Sequence, residues 1–468
     1  MPAIDIPSTR NSSNIPGLNT ELLSRYQGPC PRYTSYPTAD RFQDIGENTG
    51  KPWEDFSGIS TLSLYVHLPF CRSLCYFCAC NKVVTREYAL AAHYLDYVIK
   101  EASFYGDKLQ GIPVTQLHLG GGTPNFLRDQ DLCRLLQALD DAFDLQEAQE
   151  RDFSIELDPR GLEVDTLITL RELGFNRLSF GVQDFDADVQ RAINRLCSVE
   201  QLRGLVHAAR GLGFESISFD LILGLPRQTH ATLHQTLEQV VSMLPDRVAL
   251  YHYAHLPQRF RPQKLIDVNA VPDSGEKMCM MTSAADQLGA AGYQYVGMDH
   301  FALPNDALAR AAGDGRLHRN FQGYTTMPAD ALIGLGASAI SYTPAGYWQN
   351  YRRLPAYYRA LDSAHCGVER VRVLTEDDKV RHRVIMDLMC SQDVSKERVS
   401  RHFNLDFDAY FAMEIERLKP LVEDGLVRVD AEGIHITETG HWFSRQVAAV
   451  FDKYLIGDRN NAIYSKTY

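Results

Sequence analysis

Four of the ten cysteines fall within ten residues, directly after an apolar segment. Iron–sulfur clusters are held by cysteine thiolates, and the C-x3-C-x2-C spacing of Cys71, Cys75 and Cys78 lets one loop contact a cluster from three directions. Three thiolates for four irons leave one iron open. Reductive cleavage of S-adenosylmethionine to a carbon radical is the cofactor chemistry that uses an open iron. The spacing therefore predicts radical chemistry at a 4Fe-4S cluster.

A structural zinc site or buried free thiols are the alternatives for this segment. Zinc sites usually consist of two separated C-x2-4-C pairs, and the sequence has no second pair, which favours the cluster. Single cysteines scattered along the rest of the chain fit a reducing cytoplasm better than a disulfide framework. These are Cys30, Cys133, Cys197, Cys279, Cys366 and Cys390.

A glycine run follows the next predicted strand along the chain. Strand 116–119 leads into Gly120, Gly121, Gly122 and Thr123, where backbone without side chains can approach a ligand closely. A tight turn without a ligand is the structural interpretation of the same run.

Three polar residues occur in predicted apolar strands. Glu156 and Asp220 are carboxylates in surroundings where a charge is costly unless it is paired, so an arginine across the fold is the structural alternative to a ligand contact. His67 lies two residues after Tyr65 and therefore on the same face of its strand. A histidine there is either a satisfied core residue or a side chain that tunes the cluster.

The elements that must position these residues alternate along the chain. Predicted strands are 62–67, 116–119, 153–157, 177–180, 216–222 and 247–253, with predicted helices 86–105, 131–143, 167–173, 231–244 and 275–291. Alternation at this spacing predicts a parallel sheet. We predict an α/β fold, a partial (β/α)6 barrel whose site lies at the C-terminal ends of the strands.

Four regions are predicted. They are a disordered lead-in (1–25), an extended segment with Pro31 and Pro37 that packs on the barrel (26–61), the barrel with its extension (62–374), and a small, mainly helical, winged-helix-like domain with a hairpin near 430–433 (375–468). For the last region we predict a packing or lid role, because its own charge balance is acidic and argues against DNA binding.

Charge and hydropathy exclude some classes of protein. With 47 basic and 59 acidic residues the net charge is −12, which argues against a general binder of phosphate backbones. No apolar run approaches the length of a membrane-spanning helix, and the first residues lack the apolar core of a signal peptide. We predict a cytoplasmic protein without nucleic-acid or membrane partners.

The cysteine segment resembles that of radical S-adenosylmethionine enzymes. The wider string Tyr-x-His-x-Pro-Phe-Cys-x3-Cys-x-Phe-Cys-x-Cys-Asn from Tyr65 to Asn81 resembles the oxygen-independent coproporphyrinogen III oxidases in particular. The resemblance extends over nearly the whole chain from about Arg32, through HLGGGTP, SIELDPR, GVQDF, DLILGLP, YAHLP, MDHFA and HRNFQGYTT.

This resemblance implies roles for individual residues. The cluster ligands would be Cys71, Cys75 and Cys78, with His67 and Cys80 as catalytic residues. Contacts to the cluster-bound S-adenosylmethionine would come from Tyr65, Gly121, Glu156 and Ile340. Contacts to a second S-adenosylmethionine would come from Phe77, Gly122, Thr123, Gln183, Arg195, Asp220 and Ala254.

The implied reaction is oxidative decarboxylation of two propionates of coproporphyrinogen III to vinyl groups, giving protoporphyrinogen IX in haem biosynthesis without oxygen. A 5'-deoxyadenosyl radical made at the cluster would start it, and an unidentified electron donor and acceptor would serve a monomer. Arg32 and Arg319 are candidates for holding the substrate's carboxylates by bidentate pairing. The alternatives are a related haem carrier, whose members typically lack the fourth cysteine, and a non-enzymatic metal-binding interaction protein.

Overall fold

The computed structural model describes residues 20–46, 49–145, 151–364 and 366–455. Residues 1–19, most of the predicted lead-in, lie outside them. The first described element is the helix Thr20–Tyr26, which overlaps the last residues of the predicted lead-in. Leu23 of this helix is fully buried and Tyr26 packs edge-on against Phe443, 5.7 Å between ring centroids, which gives the helix a place on the core.

Six parallel strands form the centre of the fold, as predicted. They are β1 (Leu62–Leu68), β2 (Pro113–Gly121), β3 (Asp152–Leu157), β4 (Arg177–Gln183), β5 (Ser216–Leu223) and β6 (Arg247–His252), paired in that order. The helices that follow them are Tyr88–Leu109, Asp129–Ala142, Val164–Glu172, Ala187–Ala192, Val199–Gly211, His230–Met243 and Ser274–Ala290. The α/β prediction is confirmed.

The sheet continues beyond both edges of this set, which the sequence did not reveal. Strand Ala331–Leu335 pairs in parallel with β1, and Ile340–Thr343, Gly346–Asn350, Val368–Val373 and Gln43–Asp44 follow antiparallel. On the other edge His300–Ala302 and Gln294–Gly297 extend β6 antiparallel. The sheet has two ends, so the barrel is partial.

The remaining elements are short. The other helices of the barrel part are Ala307–Gly313 and Leu354–Ala364, and the other short strands are Phe70–Cys71, Val83–Val84, Asp144–Leu145, His318–Asn320 and Gly323–Thr325. In the part of the chain that the structure describes, no helix has the length and apolar character needed to cross a membrane.

Alternation along β1 decides which side chains enter the barrel. Leu64 and Val66 are fully buried in the main core. Tyr65 and His67 lie on the opposite face, where the Tyr65 ring stacks on His118 of β2 at 5.9 Å. The polar residues of β1 therefore face the interior of the barrel.

The C-terminal part contains the helices Glu376–Cys390, Lys396–Phe403, Phe407–Tyr410, Ala412–Glu423 and Ser444–Ala449. Its three strands, Asp393–Ser395, Val427–Val429 and Gly433–Ile436, form a separate antiparallel sheet. The last two strands form the predicted hairpin, whose turn is held by Asp430 accepting hydrogen bonds from the amides of Glu432 and Gly433.

The extended segment after residue 26 contacts the C-terminal residues as well as the barrel part, on which the sequence predicted it to pack. The Tyr33 hydroxyl donates to Asp452 at 3.2 Å, and Arg445 donates through Nε to the carbonyl of Pro31 at 3.1 Å. Extended backbone without ladder partners needs such donors when it is buried. The two ends of the described chain are therefore interlocked.

Candidate active site

A cavity of about 350 Å³ lies at the C-terminal ends of β2 to β5. It collects most of the predicted site residues in one place. These are Cys71, Cys75, Phe77, Cys78, Cys80, Gly121, Gly122, Thr123, Glu156, Gln183, Arg195 and Asp220. We call this space the cluster cavity.

The four thiols stand in different surroundings. Burial raises the pKa of Cys71 to about 11, although the Thr123 hydroxyl donates to its sulfur at 3.4 Å. A hydrogen bond from Cys80 lowers the pKa of Cys78 and correspondingly raises that of Cys80. Among the described residues no three His, Cys, Asp or Glu side chains converge to hold a single metal ion. Thiols spread along the wall of a cavity of this size fit a larger group, such as a cluster.

Two guanidinium groups lie beside Cys75. Arg195 Nη1 is 3.5 Å and Arg160 Nη2 is 3.7 Å from its sulfur. Both arginines also donate to Asp158 Oδ2, at 3.1 and 2.6 Å. Two guanidinium groups against one carboxylate leave a net positive charge beside this sulfur.

Packing of the protein itself explains the glycine run. Gly121 has φ +112°, and a Cβ there would lie 2.5 Å from Cε1 of the His67 ring. A Cβ on Gly122 would lie 2.5 Å from the carbonyl carbon of Pro69. The structural interpretation of the run is thus satisfied, and the turn also lines the cluster cavity.

The two strand carboxylates have no arginine or lysine partner among the described residues, contrary to the structural alternative. Glu156 accepts from the Gly121 amide at 3.1 Å and lies 3.4 Å from His118. Burial opposes ionisation of Glu156, but hydrogen bonds from His118 and Gly121 hold its pKa below the ordinary value. Burial and the nearby Glu156 raise the pKa of Asp220 to about 7, and Ser179 donates to it at 2.9 Å. Near neutral pH one carboxyl is ionised and the other is half protonated.

Tyr65 and His67 do not line the cluster cavity. His67 Nε2 donates to the carbonyl of Asn81 at 2.9 Å, and the Tyr65 hydroxyl donates to His67 Nδ1 at 3.0 Å. Burial lowers the pKa of His67. The histidine lies behind Gly121 and ties the end of the cysteine loop to β1, so its contacts are those of a positioning residue.

Ala254 and Ile340 are also outside the lining of the cluster cavity. Gln263 Nε2 donates to the carbonyls of both Ala254 and Phe77, at 3.1 and 3.0 Å, which joins the segment after β6 to the cysteine loop. Ile340 packs against a small group of buried apolar side chains that includes Phe42 and Tyr347.

Family comparisons agree with this geometry. The radical SAM superfamily model matches residues 65–240, and the HemN C-terminal domain model matches residues 374–443. An oxygen-independent coproporphyrinogen III oxidase of Pseudomonas aeruginosa is 44% identical over 446 residues, which cover 93% of this chain and 96% of the relative. The Escherichia coli protein of the same name is 43% identical and covers 93% of this chain and 95% of the relative. The chain belongs to the oxygen-independent coproporphyrinogen III oxidase family.

A solved structure of a family member has the same fold. Coproporphyrinogen III oxidase (HemN) from Escherichia coli, described as a radical SAM enzyme, superposes with a TM-score of 0.89 at 42% identity and covers 93% of this chain and 99% of its own. As a radical SAM protein of the coproporphyrinogen III oxidase family, the chain uses a 4Fe-4S cluster and S-adenosylmethionine.

Sequence reasoning assigned no role to several residues of this family site. Asn125, Asp158 and Arg160 line the cluster cavity, and Gln263 holds the backbone next to it. The signal for Asp158 and Arg160 was present, since both stand in the SIELDPR segment that carried the resemblance. Gln263 lies in an irregular segment whose position depends on tertiary packing.

Proposed function

We propose that this chain catalyses the oxygen-independent oxidative decarboxylation of two propionate side chains of coproporphyrinogen III to vinyl groups, giving protoporphyrinogen IX in haem biosynthesis. The observation that carries the proposal is one cavity lined by four cysteines, a glycine turn and the two strand carboxylates Glu156 and Asp220. The names of the relatives identify the substrate.

In this proposal Cys71, Cys75 and Cys78 hold the cluster, and Cys80 stays off the metal as a catalytic thiol. When bound, the cluster and S-adenosylmethionine supply a carbon radical that takes a hydrogen atom from the substrate. Each decarboxylation then releases carbon dioxide, passes one electron to an acceptor, and leaves one vinyl group where one propionate stood.

The residues of the chain bind, orient and exclude water. The ionised Glu156 and Gly121, joined by a hydrogen bond, would contact the amino acid end of the cluster-bound S-adenosylmethionine, and Tyr65 and Ile340 would be its further contacts. The Arg195 guanidinium, next to Cys75, suits a carboxylate. His67 fixes the end of the cysteine loop through Asn81.

We also propose a second S-adenosylmethionine, bound by Phe77, Gly122, Thr123, Gln183, Arg195, Asp220 and Ala254. Its support is that all of these except Ala254 line the cluster cavity, whose polar wall extends past Glu156 to Asp220. Equilibrium dialysis of the holoenzyme with labelled S-adenosylmethionine measures how many molecules bind per protein chain. We expect two, and a value of one would contradict the second site.

The finer assignments complete the proposal. The chain acts as a cytoplasmic monomer with an electron donor and an electron acceptor yet to be identified, and without nucleic-acid or membrane partners, in keeping with its net charge of −12. Residues 62–374 carry the chemistry, and residues 375–468 pack beside the barrel as a lid.

Anaerobic turnover tests the function. Reconstituted protein with reductant, S-adenosylmethionine, an electron acceptor and coproporphyrinogen III should release carbon dioxide and form protoporphyrinogen IX. Mass spectrometry of the porphyrin pool should show two successive losses of one formic-acid equivalent each. A haem carrier would instead bind haem stoichiometrically and leave the propionates intact. Cleavage of S-adenosylmethionine without loss from the porphyrinogen would mean that the chemistry is right and the substrate is wrong.

A further inference from the structure

A second large cavity adjoins the cysteine loop. Its volume is about 710 Å³, and it shares Cys78, Cys80 and Lys82 with the cluster cavity. The rest of its wall comes from the segment 259–262 after β6 and from the antiparallel extension of the sheet near Arg352. Anything bound in it therefore lies directly against the cysteine loop.

The lining of this cavity is cationic. Lys82, Arg259, Arg261 and Arg352 all contribute to it, and its described lining contains no Asp or Glu. Arg261 and Arg352 are exposed side chains that form no ion pair within the described residues. In a chain with a net charge of −12 such a concentration of positive charge is a local feature with a cost in self-repulsion. We call this space the cationic cavity.

Arg32 and Arg319, the arginines suggested by the sequence, are less available to a carboxylate ligand than Arg261 and Arg352. Arg32 already pairs with Asp299 at 3.0 Å. Arg319 donates to the carbonyl of Arg32 and lies 4.7 Å from the centroid of the Tyr324 ring. The cavity that Arg319 lines has no residue in common with the cluster cavity. These two arginines hold the extended N-terminal segment in place.

We propose that the cationic cavity binds the carboxylates of the porphyrinogen, with Arg261 and Arg352 as the main recognition residues. The inference rests on the proposed function, whose substrate carries four carboxylates. Guanidinium groups pair with carboxylates through two parallel hydrogen bonds, and small-molecule sites typically enclose about 300–1,000 Å³. The shared wall at Cys78 and Cys80 brings one edge of the macrocycle to the cluster cavity, where the reacting propionate is presented.

Affinity for a stable tetracarboxylate tests the site without requiring turnover. Coproporphyrin III, the fluorescent oxidised form, is titrated into reconstituted holoenzyme, its Arg261→Gln and Arg352→Gln variants and the double variant. We expect Kd to rise roughly tenfold for each lost charge-assisted pair. Arg261→Lys and Arg352→Lys keep the positive charge but lose the paired donors of the guanidinium group, so their Kd values should lie between those of wild type and the Gln variants. Arg310→Gln, an exposed arginine that lines none of these cavities, changes net charge equally and should leave Kd unchanged.

The tetramethyl ester of coproporphyrin III provides a second arm. Wild type should bind it far more weakly than the acid, and the double variant should bind both forms alike. Unchanged affinity for the acid in the double variant, with normal iron content, would overturn the proposal. If those variants instead slowed cluster reduction by an acidic redox protein but not by dithionite, the face would be a docking surface for an electron donor. Wild-type protein that cleaves S-adenosylmethionine yet binds no porphyrin would refute the proposed function itself.

Discussion

Cys78 and Cys80 are separated by one residue, yet the proposed function gives them opposite roles. The Cys80 thiol donates a hydrogen bond that lowers the pKa of Cys78. Lys82 Nζ also donates to the Cys78 carbonyl at 2.9 Å, which brings a positive charge to the same thiol. The loop thus favours a thiolate at Cys78 and a neutral thiol at Cys80.

We expect serine at Cys71, Cys75 or Cys78 to abolish the cluster, because two thiolates are too few to retain it. Cys80→Ser should keep near-normal iron and lose turnover. Iron and sulfide analysis after anaerobic reconstitution measures the first effect, and product formation measures the second. Exposed Cys133→Ser is the control and should change neither. Normal iron in any of the first three variants would contradict the ligand assignment.

Asp220 makes stability depend on pH. Its folded pKa of about 7 exceeds the ordinary value of 3.8, so the stabilisation it contributes is complete below about pH 4 and is lost as pH rises through 7. Asn cannot ionise and can still accept from Ser179. Asp220→Asn should therefore raise stability above pH 7, by on the order of 2 kcal/mol after solvent screening at the cavity wall, and by little near pH 4.

Thermal unfolding at pH 5 and pH 8, without S-adenosylmethionine, measures this difference. The exposed Asp286→Asn serves as the matched control. An equal gain in Tm at the two pH values would show that Asp220 does not titrate as described.

The turns after β4 and β5 are joined to each other by hydrogen bonds. Gln183 has φ +70° and leads into the fully buried Asp184. Gln228 Nε2 donates to Asp184 at 2.6 Å, while its Oε1 accepts from the amides of Gly224 and Leu225 at 2.5 and 3.3 Å. One amide side chain therefore fixes both turns at the edge of the cluster cavity.

Gln228→Ala should cost about 2–4 kcal/mol, because it leaves a buried carboxylate and two amides with unmade hydrogen bonds. We also expect weaker binding of S-adenosylmethionine, since Gln183 loses its support. Urea unfolding and equilibrium dialysis measure the two effects. Gln239→Ala removes an exposed amide nearby and should do neither. A variant that unfolds like wild type would show that the turns are held by other contacts.

At the scale of the whole molecule, the N-terminal and C-terminal ends of the described chain are held together by contacts between them. Arg445 is 6% exposed and donates to the carbonyls of Cys30 and Pro31, while Tyr33 and Tyr36 are fully buried. The C-terminal residues that make these contacts also hold the N-terminal segment in place. Removing these C-terminal residues would uncover both tyrosines.

Arg445→Ala should lower stability by about 3 kcal/mol, the scale of buried hydrogen bonds from a charged group. It should also speed proteolysis between residues 26 and 46 while cluster content stays normal. Thermal unfolding and limited proteolysis read by mass spectrometry measure these effects. Arg428→Ala, at a side chain that is 69% exposed, should change Tm little. Equal proteolysis of the two variants would mean that the segment is held from the barrel.

The sequence by itself determined the six parallel strands, the cysteine loop and the glycine turn. These are local features: each strand shows its own apolar pattern, and three cysteines within eight residues are close in any fold. Glu156, Gln183 and Asp220 could be placed together because the C-terminal ends of neighbouring parallel strands lie at one edge of a sheet.

Only the tertiary structure decided how distant segments meet. His67 lies behind Gly121, Tyr65 stacks on His118, and Ala254 and Ile340 lie outside the cluster cavity, because these positions depend on packing between segments that are distant in sequence. The antiparallel extensions and the interlocked ends depend on contacts hundreds of residues apart, which leave no periodic signal in either segment. The same holds for the cationic cavity, whose lysine and arginines come from three separate parts of the chain.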